Sequence, residues 1–192
     1  MLTLKRSLLV FAGFSLVCGL IYPLLITGIA QLVFPGPSNA SIIKKGERII
    51  GSQLIGQSFT SARYFHGRPS AIDPPYDASN SGASNLAPTN AQLIGLAQSR
   101  GAQVRKENAL PADKPLPADV LLTSASGLDP HISPAAALLQ IGRVARERNL
   151  PEADIKDMVG RCSERPWLGF WGKDRVNVLS LNLLLDERSS QR

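Results

Sequence analysis

Apolar positions are distributed very unevenly along the chain. Between Ser7 and Phe34 no charged residue occurs, and aliphatic and aromatic side chains would cover every face of a helix built from the segment. Such a helix is about 42 Å long, more than the ~30 Å hydrocarbon core of a bilayer, so it suits a membrane span better than a buried soluble helix. Pro23 removes one backbone donor and is expected to kink the span. Thr27 and Gln31 add polar groups toward its exit end, and Ala12, Ser15 and Gly19 make a small-residue stripe that would let a second helix approach. The small residues Ser38 to Ala40 would suit a signal peptidase. Signal cores, however, run only about 7 to 15 residues, and the length of this segment favours an uncleaved anchor.

A Pro/Gly/Ser run after Phe34 ends the span, and from Ile42 onward the pattern is that of a globular domain. Ile49, Ile50, Leu54 and Ile55, broken by Gly51 and Gly56, predict short strands in a hairpin-like unit. Tyr64 to Pro88 is crowded with Gly, Pro, Ser, Asn and Asp, yet Tyr64, Phe65, Tyr76 and Leu86 supply apolar anchors, so an ordered surface loop is expected. Thr89 and Gln92 have capping-box spacing before a helix with Leu93, Leu96, Ala97 and Val104 on one side. Val120 to Thr123 predicts a buried strand. Ser133 and Pro134 start a helix whose apolar face is Leu138, Ile141, Val144 and Ala145, with Arg143, Arg146, Glu147 and Arg148 opposite. A third helix begins at Pro151 and turns Ile155, Met158 and Val159 inward. A glycine-punctuated aromatic segment, a strand near Val176 to Leu179 and an apolar tail close the chain. The fold class is therefore α/β, a mixed α+β globular domain tethered by one N-terminal transmembrane helix. Its divisions are a tail at 1–6, the helix at 7–34, a linker at 35–41 and the domain at 42–192.

Charge and cysteine usage alter this picture only by exclusion. The net charge of +6 is scattered and only 6% of residues are aromatic, whereas nucleic-acid binders concentrate bases on one face among stacking rings. Cys18 lies inside the apolar span and leaves Cys162 as the one thiol of the domain, so no disulfide can form within it. Two Cys and two His at unrelated spacings give no zinc pattern. Lys5 and Arg6 precede the span while Lys44, Lys45 and Arg48 follow it, so charge alone nearly ties on orientation.

The candidate chemistry lies in two polar loops. Ser126, Asp129 and His131 carry the residue types of a Ser/His/Asp hydrolase, but triads are normally assembled from separate elements, and no G-x-S-x-G elbow is present. A strand-to-helix turn whose short polar side chains satisfy free amides accounts for the same residues. Ser81, Gly82, Ser84 and Asn85 could form a phosphate-binding nest, a weak signal in a chain with neither a P-loop nor a D-K-T-G phosphorylation sequence.

The anchor followed in order by LIGQSF, YFHGRPSA, YDASNSGASNL, TSASGLDPHISPAAA and VNVLSLNLLLD resembles the KdpC family, the C subunits of the bacterial Kdp potassium-transporting ATPases, over essentially the whole chain. The resemblance implies a non-catalytic accessory subunit of an inner-membrane, high-affinity, ATP-driven potassium uptake complex. Its partners there are a channel-like potassium-binding subunit and a P-type ATP-hydrolysing subunit, while ATP and K+ are used by the complex and this chain binds no cofactor of its own. The family is described both as a catalytic chaperone that raises the ATP affinity of the hydrolysing subunit and as a cap at the extracytoplasmic mouth of the channel subunit. With one anchor, and with Lys5 and Arg6 holding the N-terminus in the cytoplasm, the expected place of the domain is the periplasm. Ser126, Asp129, His131, Arg68 and Tyr76 are the expected partner contacts. Where SGGSNL is expected in the family this chain has Ala83, which disfavours a flexible nest. An anchored periplasmic Ser/His hydrolase is the alternative from another class.

Overall fold

A computed structural model describes residues 2–190 and divides the chain after Ser52 into two compact units. The first unit opens with a helix of mean hydropathy 2.3 from Leu2 to Val33, with none of its most apolar stretch buried against protein. It comprises α1 (Leu2–Leu16), a π-helical turn (Val17–Ile21) and α2 (Tyr22–Val33). The π turn lies just before Pro23, whose ring would crowd the carbonyl one turn back; the Tyr22 amide reaches past that turn to Val17 O. Because the helix starts at Leu2, Lys5 and Arg6 belong to its first turns rather than to a separate tail. The Pro/Gly run forms a single turn, α3 (Pro35–Ser38), before an antiparallel hairpin of β1 (Ile42–Lys45) and β2 (Arg48–Ser52). The hairpin thus lies earlier than its sequence pattern suggested: Gly46, at φ 62, makes the turn, and Leu54 and Ile55 fall outside the strands.

Among the described residues the second unit is built on four α-helices and a small sheet. α4 (Ala91–Glu107) is capped by Asn90, whose side chain accepts from Gln92 N, rather than by Thr89. α5 (Pro134–Arg148) begins as its sequence requires, with Ser133 Oγ accepting from Ala136 N at 3.1 Å. α6 (Glu152–Arg161) buries Ile155, Met158 and Val159, the three residues assigned to its inner face. β3 (His131–Ile132), β5 (Arg175–Asn177) and β4 (Ser163–Glu164) pair antiparallel in that spatial order. α7 (Val178–Ser190) follows β5 directly.

Three expectations are corrected. Val120 to Thr123 is no strand: Ala118–Val120 is a 3-10 turn, and the Ala118 carbonyl accepts from both Leu121 and Leu122. A short apolar run has no period of its own to choose strand over turn. The strand near Val176 stops at Asn177, whose side chain accepts from Ser180 N and caps α7, so the apolar tail is a helix that buries Val178, Leu181 and Leu185 on one side. On α5, Leu138 is exposed and Leu139 buried, while Arg143 lies in the interior. The core gathers Phe65, Ile132, Val144, Ile155, Val176 and Leu181 with their neighbours, and so joins the long loop to α5, α6, α7 and the sheet.

Candidate functional site

The two polar loops are one structure. Ser70 Oγ donates to Gly127 O at 2.9 Å, and both Gly82 N (3.0 Å) and Ser81 Oγ (3.1 Å) donate to Ser126 O. Arg68 reaches across with Nη1 on Asp129 Oδ2 at 3.0 Å and Nη2 on Thr123 O at 3.2 Å. Tyr76 folds back so that its hydroxyl donates to Arg68 O at 2.6 Å. Its ring lies where a Cβ on Gly56 would come within 2.4 Å of it, and a Cβ on Gly67 would come within 2.6 Å of the hydroxyl. Burial, reinforced by the nearby Asp129 carboxylate, pushes the Tyr76 phenol up to about 12, so it stays a donor at neutral pH. The loop from Tyr64 to Pro88 is thus ordered without helix or strand, as its anchors implied, with Phe65 and Ile72 buried beneath it.

Ser126, Asp129 and His131 are close in space but committed to local work. Ser126 Oγ accepts from Leu128 N at 3.2 Å and sits 3.5 Å from Ser124 Oγ. Asp129 Oδ1 accepts from His131 N at 3.0 Å, the Asx-type geometry of a turn. The His131 ring faces Asp129 at 3.5 Å and Glu164 at 3.9 Å, and no bond joins it to Ser126 among the described residues. Burial alone would raise the Asp129 carboxyl, but the hydrogen bonds from His131 and Arg68 outweigh it and hold the group below its ordinary range. The arrangement makes a fixed anionic group gripped by a cation, not an activated nucleophile. In the proposed nest, the Gly82 amide is already spent on Ser126 O, and the left-handed residue is Asn85 (φ 52) rather than Ala83. Among the described residues no group of His, Cys, Asp and Glu is gathered to hold a metal ion.

Beside these loops opens a cleft of about 440 Å³ lined by Phe59, His66, Arg68, Tyr76, Arg100 and Glu107 among others. Three of its lining residues, His66, Asn108 and Gln140, belong to a buried polar node that the sequence did not announce. Gln140 accepts from His66 N (2.8 Å) and donates to His66 O (3.1 Å), so it pairs with the loop as a neighbouring strand would. Arg143 donates to Tyr64 O, Asn108 Oδ1 and Gln140 Oε1 at 2.7 to 3.0 Å, and also to Ala62 O. Asn182, on α7, brackets Phe65 in the same way, accepting from its amide at 2.8 Å and donating to its carbonyl at 3.0 Å. The one signal in the sequence was a lone polar residue set in an apolar run, as Asn182 is between Leu181 and Leu183.

Comparison with known proteins gives these loops a context. The family model KdpC: K+-transporting ATPase, c chain, matches residues 4–187. The chain belongs to the KdpC family. It is similar to the potassium-transporting ATPase KdpC subunit of Janthinobacterium sp. (strain Marseille), at 48% identity over 97% of this chain and 98% of that one. Its identity to the KdpC subunit of Gloeobacter violaceus is 49% over 91% of this chain and 90% of the relative, and to that of Caulobacter vibrioides 47% over 98% and 95%. The stretches that carried the resemblance to KdpC are the ones that clasp one another: YFHGRPSA meets TSASGLDP through Arg68 and Ser70, YDASNSGASNL meets it through Gly82, and VNVLSLNLLLD brackets Phe65 through Asn182.

Proposed function

We propose that this chain is a non-catalytic accessory subunit of a high-affinity ATP-driven potassium uptake complex, in which it supports the assembly and activity of a channel-like potassium-binding subunit and a P-type ATP-hydrolysing subunit. One observation carries the reading: the likeness to subunits of potassium-transporting ATPases runs through the apolar helix and the domain alike, so the whole chain is of one kind with them. The geometry is consistent with it, since Ser126, Asp129, Ser81 and the Gly82 amide, candidates for hydrolysis or phosphate binding, are engaged in the loop contacts. The helix anchors the chain in the bacterial inner membrane with Lys5 and Arg6 on the cytoplasmic side and the domain in the periplasm.

Deleting the chain should abolish ATP-driven potassium uptake and leave the other subunits poorly assembled; undiminished uptake with an intact complex would sink the reading. Sidedness needs a better reporter than Cys162, which is half-buried and whose thiol burial pushes up. Ala112→Cys, in an exposed turn, in a background lacking Cys18 and Cys162, should react with a membrane-impermeant maleimide in intact spheroplasts. Labelling only after lysis would place the domain in the cytoplasm and favour the competing role, a chaperone for nucleotide binding.

A further inference from the structure

Among the described residues, the large apolar side chains exposed on the second unit are scattered singly except at one place. Between β4 and β5, Trp167, Leu168, Phe170 and Trp171 are 66 to 73% exposed within a single tight turn. The turn is a built one. Gly169 N donates to Pro166 O and Trp171 N to Trp167 O, both at 3.0 Å, and Leu168 (φ 54), Gly169 (φ 80) and Gly172 (φ 117) take the left-handed backbone it needs. Trp167 and Trp171 bridge as antiparallel partners, and the Phe170 and Trp171 rings lie 6.4 Å apart. The fold therefore spends well-formed backbone on presenting four large apolar side chains to solvent, a concentration that marks an interaction site.

We propose that this finger is a second membrane contact, inserting Leu168 and Phe170 into the lipid interface with both indoles at headgroup level. Three features favour lipid over protein as the occupant. Tryptophans flank the apolar tip, and an indole, apolar with one polar N–H, suits the headgroup region. Basic groups flank the finger in sequence: Arg165, Lys173 and Arg175 against Glu164 and Asp174, with Arg175 held by Glu164 at 2.7 Å and Arg165 and Lys173 exposed, which complements acidic phospholipid. The chain also carries its own membrane span, so a bilayer is present at high effective concentration. Insertion of apolar side chains by about 5 to 10 Å needs no more than such a turn. The inference rests only on the helix spanning a bilayer, and holds whichever face the domain occupies.

The test is direct because Trp167 and Trp171 are the two tryptophans of the chain. In full-length chain reconstituted into vesicles of phosphatidylethanolamine and phosphatidylglycerol, their emission should be blue-shifted, should lose intensity when the acyl chains are brominated close to the headgroup, and should be shielded from aqueous iodide. Water-like emission that iodide quenches would overturn the proposal. So would blue-shifted emission untouched by brominated lipid, the sign of a second copy on the finger. Exchanging phosphatidylglycerol for phosphatidylcholine should weaken the lipid quenching severalfold; equal quenching would remove the flanking basic groups from the mechanism. In the assembled complex, a photo-crosslinking residue at Phe170 should capture lipid, and capture of another subunit would overturn the assignment while leaving the accessory role standing.

Discussion

Single residues in the clasp are held by space and by charge, and each kind of constraint makes a prediction. Gly127 has φ 70, and a Cβ there would meet Gly82 O at 2.9 Å, a backbone atom that cannot move aside. Gly127→Ala should therefore cost about 2–3 kcal/mol, read as a shifted urea midpoint by circular dichroism. Gly95 is the control of opposite sign: it lies inside α4 with nothing within 4 Å, and Gly95→Ala should stabilise by about 0.5–1 kcal/mol. The charged groups act through pH. Burial and then the Arg143 charge hold His66 below its usual 6.5, against the Ser61 carbonyl and Glu107. The unfolded chain thus binds the proton first, so this stability is complete above 6.5 and falls as pH drops toward the folded value. Asp129 is held below 3.8 and contributes stability above that value, lost as pH falls through its folded pKa. His66→Gln should flatten the stability profile under mildly acidic conditions only, and Asp129→Asn should shrink the strongly acidic limb; unchanged slopes in urea titrations across pH would contradict both.

At the level of elements, α5 shows what the sequence discloses and what it withholds. Its start was legible because Ser133 and Pro134 act on adjacent backbone, although Asp119, which orients the cap by accepting from Ser133 N at 2.6 Å, is fourteen residues away and drew no assignment from the sequence. Its faces were legible only for apolar residues. Arg143 was assigned to solvent on charge, yet it is buried because the loop offers carbonyls at 62 and 64 that need a donor. The clasp itself was half legible: the turn chemistry of Ser126 and Asp129 is local, but the Arg68 to Asp129 bond joins residues far apart in sequence, and no periodicity encodes it. The same node yields a prediction. Arg143→Lys keeps the charge but replaces a planar fork that satisfies separated oxygens with a single ammonium, stranding carbonyls in the interior. It should destabilise the domain by about 2–3 kcal/mol in thermal or urea unfolding and loosen protection of the Tyr64 to His66 amides in hydrogen exchange.

At the scale of the whole molecule, anchor and domain divide the physical work. Among the described residues every buried member of the hydrophobic core lies from Phe65 to Leu185, within the second unit. The sheet, the loop clasp and the polar node are likewise made wholly from residues after Ser52. Stability of the domain should then be independent of the helix, while function in a membrane complex should not be. A fragment from Gln53 to Arg192 is expected to be soluble, to unfold in one cooperative transition, and to retain the Gly127→Ala and Arg143→Lys penalties undiminished. Supplied in trans to cells lacking the full chain, it should fail to restore potassium uptake, because untethering removes the effective concentration that a covalent anchor gives at the membrane. Fusing the fragment to an unrelated single-span helix separates the two remaining possibilities: restored uptake would make the native segment before Gln53 a tether, and continued failure would assign that segment a role beyond tethering.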